Sequence, residues 1–475
     1  METGRLLPLL WKFAWPSLAT MTLNMLYNVV DRVYIGHGCG ADAIAGLALT
    51  FPVMMVLGAF GPLIGVGSGT VISIALGAKD HETAEKALGQ CVALKLLMGV
   101  TVAPVIFLLL EPILRATGGG GRLTDGTLAA GVRYLRIVVP FNFLAHLAFG
   151  LSACMRAEGS PIPAMRCMVV GAAVNIVLDP VLIFVCGWGV SGAAWATNVA
   201  MTASCLVALG HYARGRSVVR LRLSRIRVHG SLLFRVLSIG LAPFLMQLSG
   251  STINFSLNHA FAKWSPSAAV GTAQVAAFGI FHTAMMLFFM PSMGIQHGIG
   301  PIIGYNWGAG NFKRVRRAWD LSFLLTCGAV AFASAMPVVF APWIARCFAD
   351  DPDVLRAGTF ALRVGNCMIW CIALNVSAST YFQSVGRPRT AILLSLLRQV
   401  VVLLPCVWLL PLMMPSRPLL GTWMALPISD FVAFLATIPP VVLERRALAR
   451  GAIAGNQPSQ ASSADARRAR TASGA

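Results

Sequence analysis

The chain is predicted to be an all-α polytopic membrane protein, with twelve transmembrane helices in two parallel-repeated lobes of six. Three observations lead there. Of 475 residues, 57% are hydrophobic and only 11% charged, where soluble domains carry about 25% charged residues. Apolar runs long enough to cross a bilayer, about 20 residues as helix, occur twelve times. Short motifs then recur at near-constant spacing between the two halves.

The runs fall at 11–36, 44–77, 88–110, 130–154, 163–186, 189–211, 232–260, 270–305, 317–344, 355–384, 390–413 and 421–443. The second and eighth exceed the roughly 30 Å hydrocarbon core at about 1.5 Å per residue, so they should tilt, bend or project. Arg5 and Lys12 before the first run resemble a signal peptide, but no small-residue cleavage site follows, so the run reads as an uncleaved first helix.

The formal net charge of +20 does not make one basic stripe, so no nucleic-acid partner is expected. The positive charge sits in clusters between runs. Arg214, Arg216, Arg220, Arg222, Arg225 and Arg227 follow run six, and Lys313, Arg314, Arg316 and Arg317 follow run eight. Lys79, Lys86, Arg156, Arg166, Arg387 and Arg389 mark the other even loops, whereas an odd loop carries Asp350, Asp351 and Asp353. Retention of Lys and Arg on the inner side puts both termini in the cytoplasm. The eleven cysteines form no C-x-x-C pair and read as packing residues, not as a disulfide or metal site.

Gly159-Ser160-Pro161 matches Gly386-Arg387-Pro388 at an offset of 227 (386 − 159), and Pro16 matches Pro243 at the same offset. Leu76-Gly77-Ala78 matches Trp307-Gly308-Ala309 at 231 (308 − 77). Each half starts on the inside, so the repeats are parallel. The expected division is an N-terminal lobe at 1–211, a basic cytoplasmic linker at 212–230, a C-terminal lobe at 231–445 and a disordered cytoplasmic tail at 446–475.

Acids inside the runs carry the functional signal, because a carboxylate in a span costs roughly 2.5–3.5 kcal/mol and usually marks an ion or proton pathway. Asp31, Asp179 and Thr197 lie about five, seven and eight residues from the outer ends of their spans, roughly 7–12 Å down. Asn175 shares a helix face with Asp179. These four are the candidate cation-coupling residues. An all-oxygen donor set suits Na⁺, and paired acids suit a proton equally well. For Thr197, a bond to its own helix backbone is the competing reading. Asp430 and Arg398, both near mid-membrane, read as a buried pair locking two helices. Lys95, Arg363, His146 and His282 read as cations near span ends that snorkel to the surface. Met246, Met285, Met286, Met290 and Met293 with Phe281, Phe288 and Phe289 could line a pocket for lipophilic cations or simply pack. No cofactor is expected, and no enzyme motif such as G-x-S-x-G or a nucleotide loop occurs.

Several motifs then carry a family resemblance. Tyr27-Asn28-Val29-Val30-Asp31-Arg32, Asn175-Ile176-Val177-Leu178-Asp179-Pro180, the stretch from Gly240 to Gln247, Pro301-Ile302-Ile303-Gly304-Tyr305-Asn306, Gln383 to Pro388 and Pro427-Ile428-Ser429-Asp430 resemble the multidrug and toxic compound extrusion (MATE) transporters, in the bacterial exporter branch. The similarity covers roughly residues 8 to 445. It implies a V-shaped cleft between two lobes and antiport of amphipathic or cationic drugs against Na⁺ or H⁺ in the bacterial inner membrane, with a monomer expected. It maps the family's cation site onto Asp31, Asn175, Asp179 and Thr197. Some relatives use an acid in spans seven and eight, where this chain has Gln247, Gln274 and His282. Gln247, Met246, Asn254, His282, Met286 and Phe289 are the candidate cleft residues. The alternative is a flippase for lipids or lipid-linked saccharides on a related two-lobed fold.

Overall fold

The computed structural model describes residues 5–39, 41–117, 125–215 and 217–450. The first half runs α1 Leu6–Cys39, α2 Ala41–Gly77, α3 His81–Leu108, α4 Leu110–Thr117, α5 Asp125–Val138, α6 Asn142–Ala157, α7 Pro161–Pro180 and α8 Val190–Ala213. The second runs α9 Gly230–Trp264, α10 Ala268–Gly308, α11 Phe312–Val339, α12 Ala341–Arg346, α13 Pro352–Asn366, α14 Ile372–Ser384, α15 Pro388–Leu396, α16 Leu404–Met413 and α17 Pro418–Arg450. Eleven helical segments among the described residues are long and apolar enough to cross a membrane. The 34-residue α1 supplies the twelfth. Several spans are broken: α5 and α6 join through a 3-10 turn, as do α13 and α14, and α15 and α16 through a π-helical stretch, Leu397–Leu403. The last helix reaches Arg450, so residues 446–450 belong to it and not to a tail. Residues 451–475 lie outside the described residues.

The repeat extends to the turns. Gly159 and Gly386 both take positive φ (102° and 76°), ending one helix before a proline opens the next at its first turn. Lys79 and Gly310, at φ 60° and 71°, likewise take positive φ after α2 and α10. Asp80 and Asn311 then cap the following helices by accepting from the backbone N–H three residues on, at Thr83 and Arg314.

Four apolar cores show how the halves meet. Two lie toward the end where the start of α1, the end of α17 and the basic clusters gather. One of these joins residues of α2, α3, α6 and α7 to Leu232, Val236 and Ile239 of α9. The other joins residues of α10, α11, α14 and α17 to Leu10, Phe13 and Ala14 of α1. Toward the far end the cores separate: one holds only second-half residues from Ile253 to Leu426, the other only first-half residues from Ile35 to Ala194. The two six-span bodies therefore meet at the basic end and part toward the other, as a V. Each lends the first turns of its leading helix, α1 or α9, to the core of its neighbour.

Close backbone approach makes that junction tight. A Cβ on Gly240 would sit 1.7 Å from the Leu63 carbonyl oxygen of α2, and one on Gly308 1.9 Å from that of Ile74. Neither position tolerates a side chain while the helices cross. Phe60 and Phe244 close the α2–α9 contact above, with ring centroids 5.1 Å apart.

The basic segment after α8 is docked against the first half. Glu158 accepts from the Val219 N–H at 3.1 Å and faces His211 Nε2 at 3.0 Å, and Glu85 pairs with Arg222 at 3.2 Å and Arg225 at 3.5 Å. Burial pushes the Glu158 carboxyl above its ordinary value, against the lowering pull of His211 and the Val219 N–H. The folded state thus holds this proton more tightly than the unfolded chain. Its contribution to stability is full below the ordinary carboxyl range and is lost as pH rises through the raised value.

Two outcomes are expected. Gly240→Val forces α2 and α9 apart, so thiol labelling of a cysteine placed at Ile74 rises severalfold over the parent protein. Glu158→Gln flattens the pH dependence of thermal unfolding in detergent between about pH 4 and 7.

Candidate functional site

Asp31 lies in the distal half of α1, Asn175 and Asp179 near the distal end of α7, and Thr197 in α8. Asn175 and Asp179 share a face by helical geometry, four residues apart, and the Asn175 amide donates to Asp179 Oδ1 at 3.2 Å. Immediately beyond Asp179, Pro180 cannot donate its nitrogen, and the helix widens into a π turn at Val181–Val185. The carboxyl groups of Asp31 and Asp179 come within hydrogen-bonding reach of each other. All three side chains are buried: Asp31 is 9% exposed, Asn175 2% and Asp179 0%. The far-end core holds Ile35 and Ile183, each four residues on from Asp31 and Asp179 along the chain, and Ala193, four residues before Thr197.

The hydrogen-bond inventory of this cluster is incomplete on the acceptor side. Asn175 Oδ1 and Asp179 Oδ2 are buried with no protein donor. Buried acceptors normally find a donor or a cation. Two carboxyls this close, in apolar surroundings, repel when both are charged, and a proton or a hard cation between them relieves that repulsion. Among the described residues no group of three His, Cys, Asp or Glu could hold a metal, so a cation here would rely on amide and hydroxyl oxygens as well.

Thr197 takes the competing role in part. Its hydroxyl donates to the Ala193 carbonyl at 3.0 Å, which leaves only its lone pairs for the site. Near Thr197 stands Tyr134 of α5, a residue that sequence reasoning passed over. Tyr134 is 7% exposed, within hydrogen-bonding reach of Thr197 and close to Asp31, Tyr27 and Asp179. Its flanks, Arg133 and Arg136, make it look like an ordinary aromatic anchor near a span end.

The candidate cleft residues divide between two helices. On α9, Met246, Gln247 and Asn254 are partly buried, and the Gln247 amide nitrogen would be 3.1 Å from a Cβ on Gly58 of α2. Asn254 donates its amide to the Gly250 carbonyl at 2.8 Å, so it serves its own helix. On α10, His282, Met286 and Phe289 recur four and three residues apart on one stripe, with Met286 56% exposed. Among the described residues no hydrogen bond or ring contact joins the α10 stripe to the α9 group.

Arg398 and Asp430 do meet, Nε to Oδ1 at 2.6 Å, the arginine side chain 23% exposed and the aspartate 2%. Lys95 differs from its expectation. It does not snorkel but is fully buried, donating to the carbonyls of Phe60 at 3.1 Å and Gly61 at 2.9 Å. Those carbonyls immediately precede Pro62, which lies inside the continuous helix α2. His146 is also buried, at 6% exposed, near Gly61.

Comparison with known proteins places this geometry. The family described as MatE matches twice in tandem, over residues 16–181 and 243–409. The sequence is 27% identical over 399 residues to the multidrug export protein MepA of Staphylococcus aureus, covering 82% of this chain and 84% of that one. It is 26% identical to its namesake from Staphylococcus haemolyticus, covering 85% and 86%. Among solved structures, an outward-facing multidrug resistance MATE transporter of the MOP superfamily superposes with a TM-score of 0.86 at 25% identity, covering 94% of this chain and 97% of that one. A MATE structure in the straight conformation gives 0.84 at 25% identity, covering 94% and 98%. With one copy of the family pattern in each six-span half, the chain belongs to the MatE family, the multidrug and toxic compound extrusion transporters.

Proposed function

We propose that the protein is a secondary multidrug efflux transporter of a bacterial inner membrane, exchanging amphipathic or cationic molecules for Na⁺ or H⁺ by alternating access. The observation that carries the coupling reading is the pair of donorless acceptors, Asn175 Oδ1 and Asp179 Oδ2, beside the Asp31 carboxyl. The export reading is supported by relatives named as multidrug export proteins.

In this reading the moving bodies are residues 1–211 and 231–445, joined by the docked linker at 212–230. The basic end faces the cytoplasm by the positive-inside rule. The V then opens outward, and an entering cation has access to Asp31 and Asp179. The lever is α1. Its distal half carries Asp31, while its proximal half, at Ala14 and Leu18, lies on α10 beside Gly298 and Gly294. A cation bound by α1 and α7 together stabilises whichever lobe arrangement brings the two helices close. It shifts the equilibrium only by that difference in affinity. Exchange of cargo for cation follows when cargo and cation favour different arrangements.

Dye export from cells by Asp179→Asn is expected to collapse to the level of transporter-free cells with the ion gradient intact. Export at the parent rate would remove the coupling site. Proteoliposomes given a Na⁺ gradient or a pH gradient separately identify the ion. If neither drives drug exchange while a labelled lipid crosses the bilayer, the chain is a flippase instead. Tyr134→Phe removes the hydroxyl that lies within reach of Thr197; loss of a hydrogen bond worth about 1 kcal/mol there should raise the cation concentration for half-maximal exchange by about fivefold.

A further inference from the structure

The rim of the first half, at the far end, holds a charged groove that neither the cation site nor the candidate cleft uses. It lies between α4 and α5, which pack on α2, α3 and α8, all of the first half. Leu110 and Leu114 of α4 and Val132 and Leu135 of α5 turn into the far-end core. The faces left over carry Glu111, Arg115, Arg133 and Arg136, all exposed. Two adjoining cavities of about 460 Å³ each follow this line and share Glu111 and Arg136. Each is within the range of small-molecule sites, roughly 300–1,000 Å³.

Charge in the groove is unbalanced. Glu111 is committed to Arg115, one turn on, at 2.7 Å, and Arg136 lies close enough to act on the same carboxylate. Arg133 and Arg136 form no ion pair among the described residues. Three apart on α5, they share a face, while Tyr134 between them turns inward. A guanidinium has five N–H donors in a planar fork that matches a phosphate bidentately. Arginines at the end away from the basic clusters also run against the retention of positive charge on the inner side. A resident anion offsets that cost.

The other wall of the groove is apolar. Phe107 and Leu108, at the end of α3, line it and are 42% and 79% exposed. Leu97, Val100, Pro104 and Leu108 recur at helical spacing along α3 and are all exposed, one continuous stripe. In a membrane-spanning helix such a stripe faces acyl chains. The groove therefore sets cations where α3 leaves the hydrocarbon, above an apolar track. A soluble anion would use the cations alone, whereas an anionic phospholipid uses both.

We propose that the α4–α5 groove binds an anionic phospholipid of the far-side leaflet. Its phosphate is received by Arg133 and Arg136, and its acyl chains lie along the α3 stripe from Leu108 to Leu97. The proposal stands apart from the efflux reading.

The test is photo-crosslinking of the full chain in phosphatidylcholine nanodiscs doped with a phosphatidylglycerol that carries a diazirine on one acyl chain. The same diazirine on phosphatidylcholine gives the reference, and labelling of residues 97–108 is read by peptide mass spectrometry. In the parent protein the glycerol lipid should label this segment about tenfold more than the reference. The double variant Arg133→Gln/Arg136→Gln should bring that ratio close to parity. Arg133→Lys/Arg136→Lys, which keeps the charge without the fork, should fall between. Each ratio compares two lipids on one protein preparation, so poor folding does not imitate loss of the site. Equal labelling by the two lipids in the parent overturns the proposal, as does a ratio that the glutamine variant leaves within about twofold. Full displacement of the label by millimolar glycerol phosphate also overturns it, because the groove would then serve a soluble anion.

Discussion

The Asp31 and Asp179 carboxyl groups and the Asn175 amide lie together in an apolar setting, and Asn175 Oδ1 and Asp179 Oδ2 have no protein donor. Burial of such acceptors is unfavourable unless something positive arrives. That constraint explains the surrounding architecture. Asp31 comes from α1 and Asp179 from α7, so the cost of the unsatisfied state falls on the spacing between two helices and not on one local turn. The π turn after Asp179 and the Tyr134–Thr197 contact from α5 and α8 complete the enclosure. Four helices thus converge on one small volume.

The same helix that supplies Asp31 ends in the core of the other half. Phe13 and Ala14 are buried among α10, α14 and α17, and α9 reciprocates with Val236 and Ile239. Interlocking of this sort lets a local change at the far end alter packing at the basic end without any new contact between them. The crossing at Gly240 and Leu63 is backbone on backbone, which has no soft side chain to absorb a partial movement. Packed interfaces of that kind favour two arrangements over a continuum. The apolar cores, joined at one end and separate at the other, are the static record of one arrangement.

The two halves share a chain path but not a chemistry. Turns at Lys79 and Gly310, caps at Asp80 and Asn311 and prolines at 161 and 388 repeat position by position. The polar interiors diverge: the first half brings the Asp31 and Asp179 carboxyl groups together, and the second pairs its Asp430 with Arg398. Lys95, which clamps the carbonyls beside Pro62, stands at the position that Thr326 fills in the second half, where it meets Gln296 at 2.6 Å. Duplication set the scaffold, and the side chains then specialised.

Sequence by itself determined the membrane class, the twelve spans, the repeat and the small set of residues worth watching, because lipid makes each charged residue costly and each apolar run conspicuous. Asp31, Asn175 and Asp179 stand out on that ground alone. Tyr134 does not, since a neutral aromatic near a span end gives no such signal. Lys95 misleads, because its position suggests an exit to the surface that the Phe60 and Gly61 carbonyls of neighbouring α2 make unnecessary. Which helices cross, that α1 and α9 change sides, and which member of the Arg398–Asp430 pair is the more exposed were decided by tertiary structure. Packing between distant segments depends on shape and close approach, and in a uniformly apolar sequence those leave almost no mark.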